Sequence, residues 1–176
     1  MQDDLVQQAQ EFVESAYGSR DDRAGVAHAR GVGELLTELR CEHQIVVAGL
    51  LHDVVEDTAV TVGQIEQAFG PRVAGLVATL TEDQSIRDFR ERKLALRTAI
   101  AEAGHTALVI FAADKLERVR AADRSATAIE PAKLEHYRRC SEMFAAHGAR
   151  TPHAEELARR LMLRRGGRSR AGALTG

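Results

Sequence analysis

Residues 48–58 read AGLLHDVVEDT, an apolar segment that runs directly into four ionisable side chains. These are His52, Asp53, Glu56 and Asp57. Removing an unpaired charge from water costs on the order of several kcal/mol. Acids and histidines beside a buried segment must therefore be paired or bound to a metal ion. The stretch therefore predicts a buried helix end that carries a metal or catalytic site.

The spacing within this stretch divides the four side chains into two pairs. His52 and Asp53 are adjacent and lie roughly 100° apart around a helix, so both can reach one ion at the edge of that face. Glu56 and Asp57 follow them by four positions and lie about one turn further on. We interpret the first pair as metal ligands, and the second pair as catalytic or as supporting the ligands.

The remaining ligands must come from other helices, and His28 and Asp114 are the best candidates. His28 lies among small residues that would let another helix or a substrate come close, and Asp114 follows a long apolar run. Each has an alternative interpretation. His28 is either a ligand or a core histidine bonded to a carbonyl, and Asp114 is either a ligand or the partner of Arg118, with Lys115 facing another direction.

Imidazole and carboxylate ligands suit one divalent ion such as manganese, iron or zinc. Such an ion can lower the pKa of a bound water and neutralise phosphate oxygens, which predicts hydrolysis of a phosphate ester. Glu56 would orient or deprotonate the attacking water. The other histidines show no metal-binding spacing, and we expect them at the surface; they are His43, His105, His136, His147 and His153.

The composition predicts an all-α protein. Three prolines, no tryptophan and many helix-favouring residues accompany helical spacing of apolar positions. Residues 45–55 could form a buried strand if taken alone, but their neighbours have helical periodicity, so we expect a central helix over 44–55. Thr61 is expected to cap the next helix, and Pro71 to lie in the first turn of the one after it.

The length of 176 residues with 44% apolar content predicts one domain, a compact helical bundle over residues 1–165. Residues 166–176 lack apolar periodicity and are expected to form a disordered tail. Several arginines near this end have no nearby acids in the sequence. They either belong to a frayed, solubilising terminus or contact RNA or an acidic partner.

The net charge of −2 gives no reason to expect a nucleic-acid or membrane partner. Cys41 and Cys140 are too few and too far apart for a disulfide framework, and the N-terminus lacks the basic start of a signal peptide. We therefore expect a cytoplasmic protein that acts on a small molecule. The sequence leaves homo-oligomer formation open.

Four segments carry a resemblance to a known family, in the family's order and approximate spacing. They are AGLLHDVVEDT (48–58), TVGQIEQAFGPRVAGLVATLTEDQS (61–85), RERK (90–93) and FAADKLERVR (111–120). Together they resemble the HD hydrolase domain of RelA/SpoT homologues, and by its length the chain is similar to the stand-alone small alarmone hydrolases.

The resemblance implies an all-helical HD-domain fold and removal of the 3′-pyrophosphate of (p)ppGpp to give GDP or GTP and pyrophosphate. It implies one manganese ion on the positions of His28, His52, Asp53 and Asp114. Glu56 and Asp57 match the family's catalytic acidic pair. Arg20 and Arg23, in the loop before the first ligand histidine, match positions that bind nucleotide phosphates.

The chain departs from the family at three places. The loop before His28 is short and lacks the Gly-x-Pro-Tyr element, and Gln84 replaces a residue that is often lysine. Arg118 replaces the usual asparagine one turn after Asp114. A guanidinium at this position either binds a substrate phosphate, the interpretation we favour, or pairs with Asp114 or Glu56 and impairs the site.

Two other functions stay open, the first because of these departures and the second because of the arginine-rich C-terminus. The first is an HD-type phosphohydrolase that acts on another nucleotide, because Arg118 and the short loop alter the pocket. The second is a catalytically weak nucleotide-binding or antitoxin-like protein that acts by sequestering a partner.

Overall fold

The computed structural model of the protein describes residues 2–18 and 23–170. These residues form ten helices and no strand, which confirms the predicted all-α class. The helices are α1 (Gln2–Tyr17), α2 (Arg23–Glu38), α3 (His43–Leu51), α4 (Val54–Asp57), α5 (Val62–Phe69), α6 (Pro71–Leu80), α7 (Phe89–Ala103), α8 (His105–Arg124), α9 (Pro131–Ala146) and α10 (Pro152–Arg170).

Helix α8 lies at the centre of the bundle. It packs against α2, α3, α6, α7, α9 and α10. Every residue from Ala107 to Glu117 on this helix is buried. A helical segment that is buried on all sides must be surrounded by other elements, so Asp114 in the middle of α8 lies deep in the protein.

Local sequence signals set several helix boundaries. The Thr61 hydroxyl accepts the Gln64 backbone N–H, and the Gln64 side chain accepts the Thr61 N–H, which forms a capping box at the start of α5. Pro71 occupies the first turn of α6. Gly70 joins the two helices with a φ of 87°, in the left-handed region that favours glycine. The expectations for Thr61 and Pro71 are confirmed.

The prediction of one central helix over residues 44–55 is wrong in one respect, because the structure divides this segment into two helices. Helix α3 ends at Leu51, residues 52 and 53 form a turn, and α4 begins at Val54. Asp53 has φ −96° and ψ −9°, away from ideal helical values, and its carbonyl accepts the N–H of Asp57. Periodicity alone could not reveal this break, since the apolar positions continue across it to Val54 and Val55.

The C-terminal helix is longer than the sequence suggested. Helix α10 extends to Arg170, beyond the expected domain end at residue 165, and arginine is a good helix former. Residues 171–176 lie outside the described residues, so the disordered tail stays a prediction. The side chains of Arg160 and Arg164 are paired with Asp123 on α8.

No helix within the described ranges has the length and apolar character needed to cross a membrane.

Candidate metal centre

Three parts of the fold bring the predicted ligands together. His28 lies on α2, His52 on the turn between α3 and α4, and Asp114 on α8. The Nε2 atoms of the two histidines are 3.3 Å apart, and Asp114 Oδ1 is 3.2 Å from His28 Nε2. One donor atom from each residue lies within 4.8 Å of the others. This cluster has the size of a single metal site.

Asp53, the fourth predicted ligand, borders the same cluster. Its Oδ1 is 3.1 Å from His52 Nε2, and its Oδ2 is 3.6 Å from His28 Nε2. The structure thus gathers all four predicted side chains around one point, although they are separated by up to 86 positions in the sequence.

Small residues allow α2 and α3 to approach closely. A Cβ atom on Gly49 would lie 2.2 Å from Leu36 Cδ1, and one on Gly33 would lie 2.7 Å from Leu50 Cδ2. Larger residues at these positions would separate the helices. The small residues around His28 therefore have the role expected from the sequence, since they let a neighbouring helix bring His52 near.

The orientation of His52 suits a ligand. Its Nδ1 is 2.8 Å from the Gly49 carbonyl oxygen, which can only accept a hydrogen bond, so Nδ1 carries the proton. Nε2 then faces the cluster. A ring oriented in this way by a backbone carbonyl is typical of metal-binding histidines.

The electrostatics of the cluster favour a cation at its centre. Burial lowers the pKa of His28. Burial also opposes protonation of His52, but the Asp53 and Asp114 carboxylates outweigh it and raise its pKa to about 10. Either a proton or a metal ion at His52 Nε2 would balance these carboxylates. Buried imidazole and carboxylate donors fit a divalent cation.

Two basic side chains also contact the acids. Arg118 Nε donates to Asp114 Oδ1 at 3.0 Å, and its Nη2 donates to Asp53 Oδ2. Of the two alternatives for Arg118, the structure shows the pairing with Asp114. The second carboxylate that Arg118 contacts is Asp53, and not Glu56. Lys115 Nζ donates to Asp114 Oδ2, so the expectation that Lys115 faces away is wrong.

The acidic pair beyond the cluster is held by two other contacts. Glu56 accepts the Glu82 backbone N–H at 2.5 Å, and burial raises the pKa of Glu56. Asp57 accepts the Tyr17 hydroxyl at 3.0 Å. Burial and Asp57 both raise the pKa of Tyr17, so this hydroxyl stays protonated and able to donate.

A cavity of about 190 Å³ opens beside the cluster. It is lined by acids and by basic residues of three helices, α7, α8 and α9. Its walls include His52, Asp53, Glu56, Glu82, Lys93, Phe111, Asp114, Lys115, Arg118, Lys133, His136 and Tyr137. Acids and cations are interspersed in this lining, as in the ion pair of Lys93 with Glu82, and cationic side chains beside a metal site suit a phosphate.

Sequence reasoning missed several of these wall residues. His136 was expected at the surface, but it is buried, and its Nδ1 is 2.8 Å from Arg97 Nη1. His153 is also buried and bonds to the Leu35 carbonyl. His136 shares a face of α9 with Cys140 and Phe144, and this spacing of four was a usable signal.

Of the two arginines expected before His28, the structure describes only Arg23, which does not line the cavity. Arg20 lies outside the described residues. Arg23 is in the exposed first turn of α2 and borders a different surface hollow with Tyr17 and Arg30. Gln84 is exposed in the loop between α6 and α7.

A sequence profile described as the HD domain matches residues 6–150. The chain belongs to the HD domain family. The clustered His28, His52 and Asp114 agree with the divalent-metal binding that an HD domain suggests.

This HD domain is similar to curated and solved proteins. The guanosine-3′,5′-bis(diphosphate) 3′-pyrophosphohydrolase of Drosophila melanogaster is 37% identical over 97 residues, which cover 54% of each chain. The structure of a metazoan orthologue of SpoT that hydrolyzes ppGpp matches with a TM-score of 0.75 at 24% identity, over 92% of this chain and 96% of that chain. A Listeria monocytogenes protein matches with a TM-score of 0.68 at 26% identity, over 76% of this chain and 90% of that chain.

The chain spans about half the length of the Drosophila relative. The likeness to the SpoT orthologue shows the fold. These similarities confirm the resemblance to RelA/SpoT-type hydrolases that the sequence motifs indicated.

Proposed function

We propose that this HD domain protein removes the 3′-pyrophosphate of (p)ppGpp by metal-dependent hydrolysis. The observation that carries the proposal is the cluster of His28, His52 and Asp114, bordered by Asp53, beside Glu56 and a cavity with cationic side chains. The name of the Drosophila relative indicates the substrate. The cavity is smaller than the usual 300–1,000 Å³ of ligand pockets, so it suits the phosphate end of a nucleotide better than a whole nucleotide.

The proposed cofactor is one Mn²⁺ ion held by His28, His52, Asp53 and Asp114. When bound, it would lower the pKa of a water molecule and neutralise charge on the phosphate. Mixed nitrogen and oxygen ligands also suit iron and zinc, and the preference for manganese rests on the family resemblance.

Glu56 is the proposed proton acceptor. Its Oε1 is engaged by the Glu82 N–H, so Oε2 is the oxygen to which the water proton would pass. The raised pKa of Glu56 suits a carboxylate that must take up a proton. The water oxygen bonds to the phosphorus attached to O3′, the P–O3′ bond breaks, and the proton taken up by Glu56 passes to O3′, which leaves as the 3′-hydroxyl. Asp57 is proposed as the second member of this acidic pair.

Cationic side chains would bind the phosphates. Lys93 and Lys133 line the cavity, and Arg118, with a side chain 39% exposed, has N–H groups beyond those that contact the two aspartates. We keep Arg118 as a proposed phosphate ligand. Arg20 and Arg23 remain proposed contacts for more distant phosphates.

The test is product analysis by nucleotide chromatography after incubation of the purified protein with ppGpp and Mn²⁺. We expect GDP and pyrophosphate in equal amounts, and no turnover by Asp53→Ala. Intact ppGpp together with cleavage of another nucleotide would support the second candidate, an HD phosphohydrolase whose preference is altered by Arg118. Loss of biological activity on removal of residues 166–176 but not in Asp53→Ala would support partner sequestration.

The proposed substrate places the protein in alarmone turnover during the stringent response, and hence in the cytoplasm. Self-association is left open, since the contacts described here lie within one chain.

A further inference from the structure

Lys115 is a buried cation next to a proposed metal ligand. It is 6% exposed, and its Nζ donates to Asp114 Oδ2. A buried ammonium group needs a specific partner, and the Asp114 carboxylate provides it.

Two aromatic rings fix the ammonium group in place. Nζ lies 4.3 Å from the centroid of Phe111, one turn earlier on α8, and 5.9 Å from the centroid of Tyr137 on α9. The faces of aromatic rings attract cations, and more strongly where water is excluded. The position of Nζ is thus set by two helices and does not depend on Asp114 alone.

The two oxygens of Asp114 consequently have different surroundings. Oδ2 is bonded to Lys115, whereas Oδ1 lies 3.2 Å from His28 Nε2 and 3.7 Å from His52 Nε2. The terminal torsion of an aspartate is broad and roughly two-fold, so an unanchored carboxylate can rotate away from the histidines. The contact with Lys115 opposes this rotation at Oδ2, and the hydrogen bond from Arg118 Nε opposes it at Oδ1.

We infer that Lys115 is a positioning residue of the metal centre, which holds Asp114 Oδ2 so that Oδ1 faces the two histidines. The inference rests on the metal site proposed above. It concerns a contact outside the ligand set, and contacts of this kind typically change metal affinity by about 10–100-fold when they are removed.

Simple electrostatics predicts the opposite change in metal affinity when Lys115 is removed. A positive charge near a bound cation repels it, so removing Lys115 would tighten metal binding if charge alone mattered. If Lys115 orients Asp114, its removal weakens metal binding. The direction of the change therefore distinguishes a positioning role from a bystander charge.

The experiment is calorimetric titration of the purified full chain with Mn²⁺. We expect Lys115→Met to raise the Kd about tenfold or more, and Lys115→Arg, which keeps the cation, to stay within about threefold of wild type. The matched control is Lys133→Met, because Lys133 lines the same cavity but is exposed at the start of α9. Its Kd should be unchanged or lower.

Folding is checked by circular dichroism and thermal unfolding in the presence of a chelator. If Lys115→Met does not fold, Lys115→Gln replaces it, and its neutral amide should give a Kd between those of wild type and the tenfold-weakened value. Unchanged or tighter binding by the folded Met or Gln variant overturns the inference. Absence of Mn²⁺ binding by the wild-type chain overturns the metal site itself, which is a separate result.

Discussion

The guanidinium of Arg118 is bonded to Asp114 from one turn further along α8, with 3.0 Å between Nε and Oδ1. The same side chain reaches Asp53 on the turn between α3 and α4. Arg118 therefore contacts two proposed metal ligands from the side that faces the cavity. Lys115, in contrast, binds the Asp114 oxygen that is turned away from the histidines.

Arg118→Asn should tighten Mn²⁺ binding. The substitution removes a positive charge that competes for Asp53 and Asp114, and we expect a Kd about tenfold lower, or about 1.4 kcal/mol. Titration calorimetry measures the change. Arg120→Asn is the matched control, since Arg120 lies on the same helix but pairs with Glu156.

The same variant tests substrate binding by Arg118. If the guanidinium binds a phosphate, kcat/KM for ppGpp should fall and the ranking of a nucleotide panel should change, even though the metal binds more tightly. An unaltered ranking together with unaltered Mn²⁺ affinity would exclude both roles.

Tyr17→Phe should slow catalysis without changing metal binding. The hydroxyl of Tyr17 donates to Asp57 at 3.0 Å, and its loss leaves one member of the proposed acidic pair less firmly oriented. A net hydrogen bond of about 1 kcal/mol corresponds to roughly a five- to tenfold fall in kcat. Steady-state kinetics gives kcat, and titration gives the Mn²⁺ affinity, for the wild-type protein and the variant. An equal loss of metal affinity would show that Tyr17 acts on the ligands instead.

Gly49→Ala should destabilise the protein by about 1–3 kcal/mol, the usual cost of overpacking a core. The added Cβ would lie 2.2 Å from Leu36 Cδ1 and would force α2 and α3 apart, so Mn²⁺ binding should weaken as well. Urea unfolding gives the stability.

Gly75→Ala is the matched control for Gly49→Ala, because Gly75 is also a helical glycine but does not lie at the contact between α2 and α3. Gly75 lies within α6, and nothing is within 4 Å of a Cβ built there. Replacing a helical glycine by alanine should stabilise the fold by about 0.5–1 kcal/mol. Destabilisation of both variants to the same extent would contradict the argument from close packing.

Glu156→Gln should make stability less dependent on pH. Hydrogen bonds from Arg120 and Arg160 lower the pKa of Glu156 from 4.5 to about 2. A lowered folded-state pKa contributes stability above pH 4.5, and that contribution is lost as the pH falls toward 2. Because the group is partly exposed and screened, we expect a wild-type advantage of about 1 kcal/mol at pH 7.

Urea unfolding at pH 7 and pH 3 measures this advantage, which should be smaller at pH 3. The exposed neighbour Glu155 provides the control, and Glu155→Gln should show little difference at either pH. A Glu156→Gln effect that is equal at both pH values would rule out the ion pairs as its cause.

The clustering of the candidate ligands could be predicted because most of them are costly where they stand. His52, Asp53 and Asp114 adjoin apolar runs, and ionisable groups in such places require a partner. Helix boundaries at Thr61 and Pro71 were predictable because capping acts over a few residues. The acidic pair followed from spacing of one helical turn.

Contacts between helices could not be predicted in the same way. Periodicity tells which face of a helix is buried, but not which side chains meet there, since that depends on packing and rotamers. Lys115 was expected to face away from its neighbour Asp114, yet its long side chain reaches back to Oδ2. The burial of His136 and the contact of Glu82 with Glu56 were missed for the same reason.

The sequence by itself determined an all-helical chain and the residues that gather at the metal centre. Local backbone preferences and the cost of burying charge act on every residue whatever its distant neighbours. Only the tertiary structure decided that α3 ends at the ligands, that Lys115 and Arg118 take different oxygens of Asp114, and that Tyr17 contacts Asp57. These relationships depend on how closely α1, α2, α3 and α8 pack, which no single segment specifies.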